Sequence, residues 1–209
     1  KDDMLEAMIE IIKNKHIILI YNTMWDTPLN IPVEQIPENY RFTTDRQYYS
    51  QAQTVIFHLP TLINELENDL DKPEGQIWVA WTLECEENYP FFKDPEFMEL
   101  FDYRISYHQT ADVIQSYLHD NFIPLMKQPV DTKERANNIC MLISSPINQS
   151  SRQEYLKELM REIPIDSYGK LFNNKKMDQD NGRESKINLY KQYKFVIAFE
   201  NACATDYVT

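Results

Sequence analysis

The chain has 209 residues, of which 43% are hydrophobic, and a formal net charge of -12 at neutral pH. This apolar content supports a folded core and excludes general disorder, and the negative charge disfavours nucleic acid as a partner. The sequence has three glycines, which are far apart, so a glycine-rich loop that cradles phosphates is excluded. No run of about 18 apolar residues occurs, so we do not expect a transmembrane helix.

The first half of the chain alternates between strand-like and helix-like segments. Residues 16–21 form a continuous apolar run, which is typical of a strand buried on both faces of a parallel sheet. The alternation predicts an α/β layered domain. The predicted strands are 16–21, 54–58, 76–83 and 101–107, and the predicted helices are 4–13 and 62–70.

A polar stretch at 127–138 separates this half from a second alternating set. The pattern predicts strands at 139–143, 163–168 and 195–199, helices at 152–161 and 187–192, and a polar loop at 173–185. Three cysteines without CxxC spacing indicate reduced thiols and not a disulfide framework or a zinc site. We therefore divide the chain into domains at 1–130 and 131–209.

The end of the chain carries the most specific motif. An apolar run at 195–199 is followed by Glu200 and Asn201, and the sequence ends with Tyr207, Val208 and Thr209. This segment resembles the α-1,3-fucosyltransferases of glycosyltransferase family 10, which transfer fucose from GDP-fucose to a sugar. In that family a Glu-Lys pair that helps to hold the donor follows the Tyr-Val-Thr, so the resemblance implies a truncated C-terminal domain.

Four further segments match the family in the same order along the chain. They are 76–84, 101–108, 143–145 followed by Arg152, and 165–170. The resemblance implies a GT-B-type glycosyltransferase with two Rossmann-like domains. Residues 1–130 would bind the acceptor, and residues 131–209 would begin the domain that binds GDP-fucose.

Inverting sugar transfer needs a base that takes the proton from the attacking hydroxyl. Glu84 follows a predicted apolar strand, where α/β sheets present reactive groups. Burial beside Trp78 and Trp81 would raise the pKa of this carboxyl toward neutrality. The residues alone favour a solvated acidic turn, but segment 76–84 resembles the family segment that carries the catalytic glutamate, and this resemblance makes Glu84 our candidate base and Glu86 the alternative.

The donor site needs groups that stabilise the departing diphosphate. Arg152 begins a predicted helix, where its guanidinium would contact phosphate, although a surface arginine paired with Glu154 or Glu158 fits the same pattern. The positions that the resemblance assigns to the donor are Tyr107, His108, Ser144, Ser145, Arg152, Lys170, Glu200, Asn201 and Tyr207. For Tyr107 and Tyr207, aromatic core packing is the alternative interpretation.

The loop after the first strand is the candidate acceptor site, with Asn22, Trp25 and Asp26. Trp25 would stack on a sugar ring, although a packing role explains it equally well. We expect no metal site, because the pairs Asp69/Asp71 and Asp178/Asp180 do not follow apolar strands and the histidines lack ligand spacing.

The resemblance thus implies transfer of fucose from GDP-fucose to an N-acetylglucosamine-containing acceptor by an inverting α-1,3 or α-1,4 fucosyltransferase, without a cofactor. The acceptor would be an oligosaccharide, a glycolipid or a lipopolysaccharide. Two alternatives stay open: a catalytically silent fragment that binds glycan or protein, and a transferase of another GDP-sugar. We expect a cytoplasmic, bacterial-type protein that contacts the membrane peripherally through the missing C-terminal part.

Overall fold

A computed structural model describes residues 15–62, 70–118, 122–129 and 138–208. The chain divides into two units, Lys1–Ser116 and Tyr117–Thr209. The predicted helix at 4–13 and most of the predicted helix at 62–70 lie outside the described residues.

The first unit contains a six-stranded sheet in which every pair of neighbours is parallel. The strand order is β2-β1-β3-β4-β5-β6, so the direction of winding reverses between β1 and β3. Ligands bind to such sheets in the crevice at the carboxyl ends of the strands where the winding reverses. The strands are β1 His16–Ile20, β2 Tyr40–Thr43, β3 Thr54–His58, β4 Ile77–Trp81, β5 Tyr103–Ser106 and β6 Val113–Ile114.

One face of this sheet packs on an aromatic core. Phe57 and Trp78 lie with ring centroids 5.0 Å apart, and Phe101 packs against both rings. Two short helices follow β3 and β4, namely α1 Leu59–Leu62 and α2 Pro95–Met98. Helix α2 begins where Asp94 accepts hydrogen bonds from the amides of Glu96 and Phe97, which satisfies donors that a helix start leaves unpaired. The 3-10 helices of this unit are Met24–Asp26, Val33–Gln35, Arg46–Gln51 and Pro90–Lys93.

The second unit contains a three-stranded parallel sheet in the order β8-β7-β9. Because consecutive residues of β7 point to opposite faces, Met141 packs with Leu156 on one side and Cys140 packs with Leu189 on the other. Helices therefore cover both faces of the sheet. The elements are α3 Phe122–Met126, β7 Ile139–Met141, α4 Arg152–Glu162, β8 Asp166–Ser167, α5 Arg183–Tyr190 and β9 Phe195–Ile197.

These two parallel sheets confirm the predicted α/β class with two Rossmann-like units, as in a GT-B-type chain. The sequence did not predict β2 or β6, and α5 begins at Arg183, inside the predicted polar loop. The predicted strand at 163–168 is shortened to Asp166–Ser167. Pro164 lies before this strand and has no backbone N–H to donate to a neighbouring strand. Within the described ranges, no helix is long and apolar enough to cross a membrane.

Candidate active site

A cavity of about 290 Å³ lies at the carboxyl ends of β4 and β5 in the first unit. Glu84, Glu86 and His108 line it, together with the apolar side chains of Leu59 and Phe92. The sheet thus places two carboxylates and an imidazole in one partly apolar recess. This combination of groups is able to move a proton.

Glu84 is held by a tight turn directly after β4. Its amide donates to Thr82 Oγ1 over 2.9 Å, and the Thr82 hydroxyl donates to the carbonyl of Glu84 over 3.1 Å. This pair of hydrogen bonds fixes the backbone from which the carboxylate projects. The structure therefore places the predicted base in the cavity on an ordered turn.

Glu86 is engaged by its neighbours. Its carboxylate accepts from Tyr107 Oη at 3.0 Å and lies 3.3 Å from His108 Nε2. Burial acts to raise the pKa of Glu86, but hydrogen bonds from its own amide, Tyr107 and His108 hold that pKa below the ordinary value. A carboxylate with a lowered pKa is a weak proton acceptor, so Glu86 is better suited to hold the two side chains than to act as the base.

Two tryptophans that the sequence placed beside Glu84 point elsewhere. Trp78 packs with Phe57 and Phe101 in the core, while Trp81 packs edge-on against His58, with ring centroids 5.3 Å apart. Phe92 and Met98 supply the apolar wall of the cavity instead.

The predicted acceptor loop lies at the same edge of the sheet, after β1. Asn22 is buried, and its amide donates to the carbonyl of His58 and accepts from the amide of that residue, so it joins β1 to β3. Trp25 is 53% exposed and has a φ of 45°, a left-handed conformation that is strained for a bulky residue. Asp26 ends the 3-10 helix Met24–Asp26. The sequence did not single out His58 as functional, since a lone histidine at a strand end forms no motif.

In the second unit, Arg152 joins the loops that follow β7 and β9. Its guanidinium donates from Nη1 to the carbonyl of Phe199 at 2.8 Å and from Nη2 to the carbonyls of Ser145 and Ile147 at 3.0 and 3.2 Å. The side chain is buried, and this burial lowers its pKa. The paired-surface interpretation is wrong, because Arg152 donates to backbone carbonyls and not to Glu154 or Glu158.

Further hydrogen bonds bring the other predicted donor-site residues together. The hydroxyl of Ser150 donates to the carbonyl of Glu200 at 2.6 Å, and its amide donates to the carbonyl of Asn201 at 3.0 Å. The amide of Lys170 donates to Ser144 Oγ at 3.2 Å. Six of the predicted residues thus lie in connected loops at the carboxyl ends of β7, β8 and β9 or at the start of α4, namely Ser144, Ser145, Arg152, Lys170, Glu200 and Asn201.

The two tyrosines assigned to the donor are both buried. Tyr107 stacks on His108 with ring centroids 4.4 Å apart, and Tyr207 lies edge-on to Tyr117 at 6.2 Å. Each ring thus has an aromatic neighbour in its own unit. Their contact with a donor stays a prediction.

No group of three or more histidine, cysteine or acidic side chains among the described residues is placed to hold a metal ion. The chemistry that the described side chains offer is proton transfer in the first unit and hydrogen bonding with local positive charge in the second.

Doubly wound parallel sheets with reactive side chains at their carboxyl edges are typical of enzymes that act on nucleotide-linked substrates. Comparison with known proteins defines the class. A model described as fucosyltransferase, N-terminal, matches residues 13–118, and the C-terminal model of glycosyltransferase family 10 (fucosyltransferase) matches residues 132–209. The chain belongs to the glycosyltransferase family 10 fucosyltransferases.

Several curated relatives are similar over most of this chain. The α-(1,3)-fucosyltransferase B of Drosophila melanogaster is 27% identical over 81% of the chain and 42% of its own length. The 3-galactosyl-N-acetylglucosaminide 4-α-L-fucosyltransferase FUT3 of Pongo pygmaeus is 26% identical over 93% of the chain and 53% of its own length. The GDP-fucose protein O-fucosyltransferase 3 of Xenopus laevis is 28% identical over 80% of the chain and 39% of its own length. The chain thus spans about half the length of the relatives it matches.

Proposed function

We propose that the protein transfers L-fucose from GDP-fucose to O3 or O4 of an N-acetylglucosamine-containing glycan, with inversion and without a metal. The observation that carries this proposal is Glu84 in its cavity, held by the turn with Thr82. The carboxylate takes the proton of the acceptor hydroxyl as that oxygen attacks the anomeric carbon of fucose. GDP leaves from the opposite side of the sugar.

The second unit binds the donor. The loops after β7 and β9, joined by Arg152, form a crevice edge at the point where the winding of the sheet reverses. The guanidinium of Arg152, the ammonium of Lys170 and the first amides of α4 add positive potential where a diphosphate would lie.

Binding and turnover test this proposal separately. Calorimetric titration of the chain with GDP-fucose, GDP-mannose and GDP should give selective binding of GDP-fucose. Glu84→Gln should lower kcat by about 10²–10⁴-fold, which is the usual contribution of a general base, and leave donor affinity unchanged. Glu87→Gln is the matched control, since Glu87 lies in the same acidic run but pairs with Lys93 at 2.7 Å. An equal loss of kcat in Glu84→Gln and Glu87→Gln would count against the proposal. Equal affinity for GDP-fucose, GDP-mannose and GDP would also count against it.

A second candidate acceptor is a protein side chain. It is favoured by the similarity to a relative named GDP-fucose protein O-fucosyltransferase 3. Transfer of labelled fucose to N-acetyllactosamine and to an unglycosylated protein extract, measured side by side, distinguishes the two acceptors.

A further inference from the structure

His58 is a buried histidine with one ring nitrogen that has no hydrogen bond. The side chain is 1% exposed, and Nδ1 lies 2.9 Å from Thr61 Oγ1. Nε2 is also buried, and it has no hydrogen-bond partner in the described part of the chain. Since buried polar atoms in folded proteins are nearly always paired, this nitrogen marks a place where an outside group completes the hydrogen bonding.

The backbone around His58 is fixed. The amide side chain of Asn22 accepts from the amide of His58 at 2.9 Å and donates to its carbonyl at 2.8 Å. Asn22 Nδ2 also donates to Thr61 Oγ1 at 2.7 Å, so the threonine that holds the imidazole is itself held. The imidazole is therefore preorganised, and Nε2 stays in one place.

The chemistry of this nitrogen suits an uncharged hydroxyl group. Burial lowers the pKa of His58 to about 4, so the ring is neutral at pH 7 and offers no attraction to an anion. Depending on the tautomer, Nε2 either donates or accepts. A sugar hydroxyl is both a donor and an acceptor, so it complements either tautomer.

Two indole rings flank the imidazole. Trp25 and Trp81 lie with their ring centroids 5.2 and 5.3 Å from that of His58. Trp81 is anchored, because its Nε1 donates to Gln115 Oε1 at 2.7 Å. Trp25 is 53% exposed and lies on a turn with a positive φ, so it is the ring whose movement would open Nε2 to a ligand. Indole faces pack well on the C–H face of a pyranose, whose hydroxyls then point sideways.

The cluster lies at the carboxyl ends of β1, β3 and β4, where the winding of the sheet reverses. Trp81 and Ala80 are neighbours in β4 and point to opposite faces, and it is Ala80 that lines the cavity with Glu84. His58 and the base thus lie at one edge of the sheet but on different faces. A sugar ring bound at His58 would therefore not be the ring whose hydroxyl Glu84 deprotonates.

We propose that Trp25, His58 and Trp81 form a subsite for an uncharged pyranose ring of the acceptor glycan, next to the ring that is fucosylated. This assignment rests on the proposed function. Trp25 moves aside from Nε2 and packs on the apolar face of the sugar, and one sugar hydroxyl hydrogen-bonds to Nε2. The subsite determines acceptor affinity and takes no part in the proton transfer.

The test is equilibrium binding of N-acetyllactosamine to the whole chain, followed by saturation-transfer NMR and tryptophan fluorescence. His58→Phe keeps a flat ring but removes Nε2, and we expect it to weaken binding by about tenfold, which corresponds to the loss of one hydrogen bond. His58→Gln returns a polar group near the same position and should recover part of the affinity. His16→Phe is the matched control, because His16 Nε2 already lies 3.0 Å from Thr54 Oγ1, at the start of β1.

Turnover separates this inference from the proposed function. His58→Phe should raise the KM for acceptor and leave the KM for GDP-fucose and kcat unchanged. If the wild type transfers fucose and His58→Phe binds N-acetyllactosamine as tightly as the wild type, the subsite is wrong and the proposed function stands. A wild type that binds N-acetyllactosamine but neither binds GDP-fucose nor transfers fucose contradicts the proposed function, while weaker saccharide binding in His58→Phe would still support the subsite. Absence of saccharide binding by the wild type overturns the subsite.

If circular dichroism shows that His58→Phe is unfolded, Trp25→Ala is used in its place. Trp25 is half exposed, so the fold should tolerate this substitution.

Discussion

At the scale of single residues, two side chains that the sequence assigned to ligand binding form hydrogen bonds with the protein backbone. Asn22 bonds to the amide and carbonyl of His58, and Arg152 bonds to the carbonyls of Phe199 and Ser145. A buried donor without a partner costs about 1–3 kcal/mol, so these bonds keep both loops ordered before any ligand binds. Replacing either residue would change function partly through the shape of the loop.

His58 should make the first unit sensitive to acid. Burial lowers its pKa from 6.5 to about 4, so between these pH values the unfolded state binds more protons than the folded state, and stability falls as pH falls. The lowering corresponds to a loss of about 3 kcal/mol, complete below about pH 4 and absent above about pH 6.5.

Urea unfolding measured from pH 7.5 to pH 4 checks this expectation. The wild type should lose stability through the window, and His58→Phe should lose less because it has no imidazole to protonate. Parallel profiles for the two proteins would show that other groups cause the acid loss.

Gly169 should not tolerate a side chain. A Cβ at this position would lie 2.1 Å from the carbonyl oxygen and 2.3 Å from the nitrogen of Ile143, which is backbone and does not move aside. We expect Gly169→Ala to lower the stability of the second unit by about 1–3 kcal/mol, as overpacking does.

Urea unfolding of Gly169→Ala beside Gly182→Ala measures this effect. A Cβ at Gly182 would meet nothing within 4 Å, so only backbone strain applies there; with φ +68° and ψ -128° this strain is about 1–3 kcal/mol. An unchanged stability of Gly169→Ala would contradict the close approach to Ile143.

At the scale of elements, the sequence predicted those whose signal is local. Continuous apolar runs marked β1, β3 and β4, and regular spacing marked α4 to within a residue. Strand β2 was missed because its alternation of aromatic and polar residues covers only four positions, and β6 because it has two residues. Glu84 was chosen because the segment 76–84 resembles the family segment that carries the catalytic glutamate; its place after an apolar run alone left a solvated turn as the favoured interpretation. The contact of Arg152 with Phe199 spans 47 positions, so no local pattern reveals it.

Helix α4 begins at a strained residue. Ser151, which precedes the helix, has a φ of 57° and makes no side-chain capping bond, while Asn148 Oδ1 accepts from the amide of Gln153 at 2.9 Å instead. Glycine adopts this left-handed conformation without penalty. We expect Ser151→Gly to raise stability by about 0.5–1 kcal/mol, because no capping bond is lost.

Thermal unfolding of Ser151→Gly and Ser151→Ala measures this gain. Alanine keeps the strain and should give none. If alanine stabilises the protein as much as glycine does, the strain at Ser151 is not the cause.

At the scale of the whole molecule, each unit has hydrophobic clusters of its own. Leu19 lies in the cluster around Phe57 and Trp78, and Leu156 lies in the cluster around Met141. Both leucines are 0% exposed, so replacing either with alanine should cost about 2–5 kcal/mol through lost burial and the cavity that remains. Because the described clusters share no residue, we expect each loss of stability to stay in its own unit.

Hydrogen exchange of peptides by mass spectrometry should show Leu19→Ala reducing protection in β1, β3 and β4 only, and Leu156→Ala reducing it in β7 and α4 only. Reduced protection in both sheets of either variant would mean that the two units unfold as one.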